Sequence, residues 1–245
     1  MQRLLLTLRY DGTAYHGWQV QPNGATVQER LQDAIEAVTG VRSGVIGCSR
    51  TDAGVHADGF CCTFDTESNL RGEKMIGALN AHLADDIAVY RCEEVTADFH
   101  PRYQSRGKRY VYRVWNAPYR NPFWERYAVH QRRVLDENAL QQAAQRFVGT
   151  HDFAAFCAAG SSVTDTVRTV SDFSVERDGN MVIFSVSANG FLYNMVRIMV
   201  GTLLDIAFGK RTPESITQAL AEKQREIAGS TAPAKGLCLK EVYYD

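Results

Sequence analysis

Eight consecutive residues, Ser49-Arg50-Thr51-Asp52-Ala53-Gly54-Val55-His56, gather an arginine, an acid, a serine and a histidine closely enough to share one site. Three readings of that loop are open. Asp52 before Ala-Gly can be a turn residue whose side chain bonds to its own backbone. Ser49, His56 and Asp52 could form a hydrolytic triad, although Ser49 is not in a G-x-S-x-G elbow and triads are assembled in space rather than along the chain. Asp52 could also act directly, because a carboxylate with an ordinary pKa of about 4 is ionised at neutral pH and needs no base to activate it. If the segment is extended, Arg50 lies on the same side as Asp52 and the two could meet.

Other candidates are scattered along the chain. Arg197 stands in the otherwise apolar stretch FLYNMVRIMVGTLL, where an unpaired buried charge is costly. It must either snorkel from the helix edge or find a partner. In KRYVYRVW, strand alternation puts Lys108, Tyr110 and Tyr112 on one face. Nine basic residues lie between Arg102 and Arg133 (Arg102, Arg106, Lys108, Arg109, Arg113, Arg120, Arg126, Arg132 and Arg133), opposed only by Glu125. Such clustering can bind phosphates on a chain whose net charge is only −1, or it can be a solvated face. The six cysteines form no C-x-x-C pair and the six histidines no H-x-x-x-H spacing, which argues for reduced structural thiols and no metal site.

The elements that must position these groups follow from periodicity. A strand over 3–10 precedes a helix capped by Thr26, with Val27, Leu31, Ala34, Ile35 and Val38 on one face and Gly40 at its end. Strands near 44–48 and 59–64 flank the SRTDAGVHAD loop; a helix over 73–83 and a strand over 87–95 complete a β-α-β-β-α-β order that resembles a ferredoxin-like unit. The second half begins with KRYVYRVW and a short strand near 127–130. A helix capped by Asp136 follows, then a hairpin of 167–175 with 181–188. An apolar helix over 191–208, a helix opened by Pro213, a small-residue loop over 229–236 and a closing strand over 237–243 complete it. The expectation is an α+β fold of two ferredoxin-like halves, 1–104 and 105–245, with largely antiparallel sheets flanked by helices and an active-site cleft between them. At 245 residues, 45% hydrophobic and 22% charged, with no membrane-length apolar run and no signal-peptide pattern at the N-terminus, the chain reads as soluble and cytoplasmic.

The wider strings carry a family resemblance. CSRTDAGVHA resembles the catalytic signature of TruA-type tRNA pseudouridine synthases. In the family's order, YDGTAYHGWQVQP with TVQERLQ, DFHPRYQSRGKRYVYRV and GFLYNMVRIMVGTLL resemble its other conserved segments. There are two departures from the family pattern: Cys48 where a small residue is common, and Tyr193-Asn194 where histidines are common. The resemblance implies isomerisation of uridine to pseudouridine in the tRNA anticodon stem-loop, at positions 38, 39 and 40, by a homodimer that grips one tRNA with both subunits. It implies Asp52 as the nucleophile, with Arg50, Tyr110, Arg197 and Leu237 as substrate-binding residues and Arg197 as the counter-ion of Asp52. The reaction changes no redox state and loses no group, so no cofactor is expected. A pseudouridine synthase acting at another RNA site, or an RNA-binding module without catalysis, are the alternatives.

Overall fold

A computed structural model describes residues 1–160 and 163–244. The chain forms two compact units, Met1–Arg106 with Cys238–Asp245, and Gly107–Leu237. The fold is α+β, and most strand pairs are antiparallel.

In the first unit, alternation in β1 (Gln2–Tyr10) buries Leu4, Leu6, Leu8 and Tyr10. Thr26 caps α1 (Val27–Thr39) by accepting the Glu29 amide, and Gly40 ends it in a left-handed conformation. Val27, Leu31, Ala34 and Ile35 form its buried face, each large apolar side chain contributing about 1.5–3 kcal/mol by burial. The strands β2 (Val45–Gly47), β3 (His56–Thr66) and β4 (Ile87–Val95), with α2 (Gly72–Asn80) between the last two, give the sheet order β4-β1-β3-β2. That is the strand order of a ferredoxin-like unit. The register sets Leu8 opposite Phe60, Leu6 opposite Cys62 and Leu4 opposite Phe64, so one face of the sheet is continuous core.

The second unit is built on β5 (Gly107–Asn116), which pairs in parallel with the short β6 (Val129–Gln131). Asp136 caps α3 (Glu137–Ala144) by accepting the amides of Asn138 and Ala139. The strands β7 (Gly149–Asp152), β8 (Val167–Asp178) and β9 (Met181–Ala188) run antiparallel in the order β5-β9-β8-β7. The hairpin turn of β8 and β9 is the two-residue Gly179-Asn180. Two helices, α4 (Met195–Ala207) and α5 (Glu214–Glu222), follow, and Pro213 stands at the N-cap of α5. The last strand, β10 (Leu237–Tyr243), pairs in parallel with β3, Cys238 opposite His56. Its residues from Cys238 onward therefore belong to the first unit, whereas the sequence places the whole of 105–245 in the second half.

Three elements differ from the sequence reading. β3 begins at His56, inside the segment expected to be loop, because Ala57 pairs with Tyr10 of β1. β7 lies where the sequence predicts only chain beyond a helix end. Finally, α4 starts at Met195 and not at Phe191, since Asn194 takes a left-handed conformation (φ 59°) that no helix can continue through.

Candidate active site

Two loops clasp each other in the first unit. The Tyr10 hydroxyl, at the end of β1, shares a 2.8 Å hydrogen bond with the buried Thr51 hydroxyl. The Trp18 amide donates to the Thr51 carbonyl at 3.1 Å, and the Gly54 amide to the Tyr15 carbonyl at 3.3 Å. The backbones approach where glycine permits it. A Cβ on Gly17 would lie 2.4 Å from the Thr51 carbonyl oxygen, and one on Gly12 would lie 2.0 Å from that of Val55. Trp18 then stacks on Phe60 of β3, ring centroids 4.0 Å apart. Asp52 is half-buried in this clasp, and its carbonyl accepts the Val55 amide at 3.1 Å. Asp52 thus starts a backbone turn that closes at Val55.

His56 bears on the hydrolase reading. Its Nδ1 accepts the Gly12 amide at 3.0 Å, so in the neutral ring the proton is on Nε2. A triad histidine must accept a serine proton while donating to its acid. Here Nδ1, the nitrogen that would donate to the acid, instead holds a backbone amide, an arrangement unlike that of a triad histidine. Arg50 is exposed and has no hydrogen bond or ion pair among the described residues, so the meeting with Asp52 that an extended segment would allow does not occur. Its guanidinium remains available to an anion.

Tyr110, Arg197 and Leu237 lie in the second unit. The Tyr110 ring is buried and packs edge-on against Phe191 at 5.0 Å. Tyr112, on the same face, donates its hydroxyl to the Pro233 carbonyl at 2.8 Å. Burial pushes its phenol well above the usual tyrosine range, against a smaller downward pull from Arg197. The bond to Pro233 ties the Tyr112 hydroxyl to the loop that precedes Leu237. Arg197 occupies the first turn of α4; its Nε donates to the Ala232 carbonyl at 2.8 Å and a terminal nitrogen to Asn194 Oδ1 at 2.7 Å. The Ala232 amide donates back to the Arg197 carbonyl at 3.0 Å. Asp205, accepting the Ser230 amide at 2.9 Å, holds the same small-residue loop that leads to the buried Leu237.

The basic run does not form one solvated face. Lys108 is 7% exposed, as its alternation with Tyr110 and Tyr112 requires, while Arg102, Arg106, Arg120, Arg126, Arg132 and Arg133 are exposed. Glu125, the single acid of the run, is neutralised by Lys235 at 2.7 Å, which holds its carboxyl below the usual range. Among the described residues no three His, Cys, Asp or Glu side chains are grouped as a metal site would require, and no helix is long and apolar enough to cross a membrane.

Comparison with known proteins covers the same segments. A family model described as tRNA pseudouridine synthase matches residues 7–104 and 143–245. The chain is 46% identical over 244 residues to tRNA pseudouridine synthase A of Acetivibrio thermocellus, covering 100% of both chains. It is 48% identical over 245 residues to the protein of that name from Shouchella clausii, covering 100% of this chain and 94% of the other. For the one from Brevibacillus brevis the figures are 49% over 244 residues, with both chains fully covered. Among solved structures, a chain of a Cbf5-Nop10-Gar1 complex aligns at 12% identity over 83% of this chain and 53% of its own, with a TM-score of 0.36.

Proposed function

This chain belongs to the tRNA pseudouridine synthase family, and from that premise we propose that it isomerises uridines at positions 38, 39 and 40 of the tRNA anticodon stem-loop with Asp52 as the catalytic carboxylate. The observation that carries the reading is the clasp around Asp52. Two glycine approaches and the Thr51 and Gly54 backbone bonds fix the backbone on which the carboxylate stands. Fixing an ionised group before substrate arrives is what a nucleophile needs, because geometry then costs nothing during the reaction.

The chemistry breaks the bond from C1′ to N1 of uracil and forms one from C1′ to C5. The C5 proton leaves and N1 gains one, so no electrons or groups are exchanged with a cofactor. Reaching the glycosidic carbon requires the uridine to be extruded from the stack. Tyr110 supplies an aromatic platform for that base, an interaction worth roughly 1–3 kcal/mol, and Leu237 an apolar wall. Arg50 and the exposed arginines of 102–133 suit phosphate and shape recognition of RNA. The family resemblance that names Asp52 also assigns Arg197 as its counter-ion. A cation in the first turn of a helix is unfavourable by itself, and an acidic partner compensates for that placement. In this reading the enzyme is a cytoplasmic homodimer, as the family resemblance implies.

The test is tritium release from tRNA carrying 5-tritiated uridine, followed by mapping of the modified positions. Wild-type protein releases tritium from positions 38, 39 and 40. Asp52→Asn and Asp52→Ala abolish release while tRNA binding persists. A tenth of wild-type turnover in Asp52→Ala would overturn the nucleophile, and modification mapped elsewhere would overturn the substrate site.

A further inference from the structure

We infer that His56 is a positioning residue for Asp52 and that it works as a hydrogen-bond acceptor, not as an acid or base; this rests on Asp52 being the catalytic carboxylate. His56 opens β3 four residues after Asp52 and is 5% exposed. Its Nδ1 lies 3.0 Å from the Gly12 nitrogen and 3.2 Å from Asp11 Oδ1. The direction of a backbone N–H is fixed and points at Nδ1, so Nδ1 accepts and in the neutral ring the proton sits on Nε2. Asp11 Oδ1 is already engaged, accepting the Thr13 amide at 2.9 Å and the Thr13 hydroxyl at 2.5 Å.

The Gly12–His56 bond ties the beginning of one loop to the end of the other. Asp52 and Val55 are joined by their own backbone bond, so anchoring residue 56 anchors the turn that starts at Asp52. Gly12 presses on Val55, and Gly17, five residues further along the same loop, presses on Thr51 and Asp52. Without the acceptor at position 56, one of the two ends of this clasp opens. A displacement of the carboxylate by about 1 Å can cost on the order of a hundredfold in rate. Substrate binding, which depends on phosphate interactions elsewhere, need not change.

The choice of variants separates acceptor from bulk. In His56→Asn the amide oxygen stands at the same bond distance from Cα as Nδ1 and can accept the Gly12 amide. In His56→Gln it stands one bond further out. We expect His56→Gln to lower kcat for tritium release by about tenfold or more with an unchanged tRNA Kd, and His56→Asn to recover most of that decrease. Equal decreases in both variants, or a defect in His56→Gln that appears in Kd instead of kcat, would overturn the inference. Because either variant can fold poorly, the 15N shifts of the His56 ring in the wild-type protein supply an independent reading. An Nδ1 shift of the unprotonated type agrees with the acceptor role, and a protonated Nδ1 at neutral pH ends it. Asp52→Asn is assayed alongside. If it is active, the assignment of Asp52 has failed; if it is inactive while His56→Gln is fully active, only the role of His56 has failed.

Discussion

Gly17 leaves no room for a side chain beside Thr51: a Cβ there would lie 2.4 Å from the Thr51 carbonyl oxygen and 3.1 Å from the Asp52 carbonyl carbon. Its φ of +90° is also one that side-chain-bearing residues rarely adopt. Both obstacles are backbone, so neither yields by rotating a side chain. Gly17→Ala is therefore expected to cost at least about 1–3 kcal/mol of stability in thermal unfolding. Its effect on kcat should exceed its effect on tRNA affinity. A variant with wild-type Tm and turnover would show that the clasp does not hold Asp52.

The clasp also marks how far the sequence is legible. The loop, its acid and most elements can be read from it, because alternation in β1 and the Thr26 and Asp136 caps are local signals. That YDGTAYHGW and SRTDAGVH lock onto each other cannot. The pairing runs through backbone amides and glycine approaches, which have no periodicity. The start of α4 is hidden for a related reason: apolar spacing runs unbroken through Phe191–Met195, while the left-handed turn at Asn194 is a property of one residue's backbone. The C-terminal strand is legible as a strand but not as part of the first unit, since strand propensity says nothing about which edge a strand will join.

Tyr110 and Tyr112 share a strand face but should part in their mutants. Tyr112→Phe removes a buried hydroxyl that donates to the Pro233 carbonyl, leaving that acceptor unsatisfied. The expected cost is about 1–3 kcal/mol of stability, seen as a lowered Tm, with kcat little changed for protein that remains folded. Tyr110→Phe should lower turnover by more than any change in Tm accounts for. If both variants are equally destabilised and turnover is untouched, Tyr110 is a packing residue only.

The basic run splits by burial into two kinds of outcome. Arg102→Glu and Arg106→Glu reverse exposed charges, so tRNA binding should weaken. Its logarithmic salt dependence should flatten by about one unit for each phosphate no longer neutralised. Lys108 is buried on the Tyr110 face, and Lys108→Glu should instead impair folding, as judged by Tm before any binding measurement. Unchanged salt slopes for both arginines would make that part of the run a solvated surface.

Arg197 offers the sharpest test of the proposed pair, because its neutral hydrogen bonds and its proposed ionic partner respond differently to pH. Its bonds to the Ala232 carbonyl and Asn194 Oδ1 involve groups that do not titrate. Removing them in Arg197→Met should lower stability and activity by the same factor at every pH. Removing a counter-ion acts otherwise. Without the nearby cation the Asp52 carboxyl holds its proton more tightly, so its pKa rises. Activity requires the ionised form and is present only above that pKa. The acidic limb of the pH–rate profile should therefore move to higher pH in Arg197→Met, with the greatest decrease at low pH and partial recovery as pH rises. Arg197→Lys should restore the charge and move the limb back, but recover only part of kcat, since an ammonium cannot reproduce the planar fork that reaches Ala232 and Asn194 together. A profile for Arg197→Met that is merely scaled down, its acidic limb unmoved, would leave Arg197 as an anchor for the loop before Leu237 and remove it as the partner of Asp52.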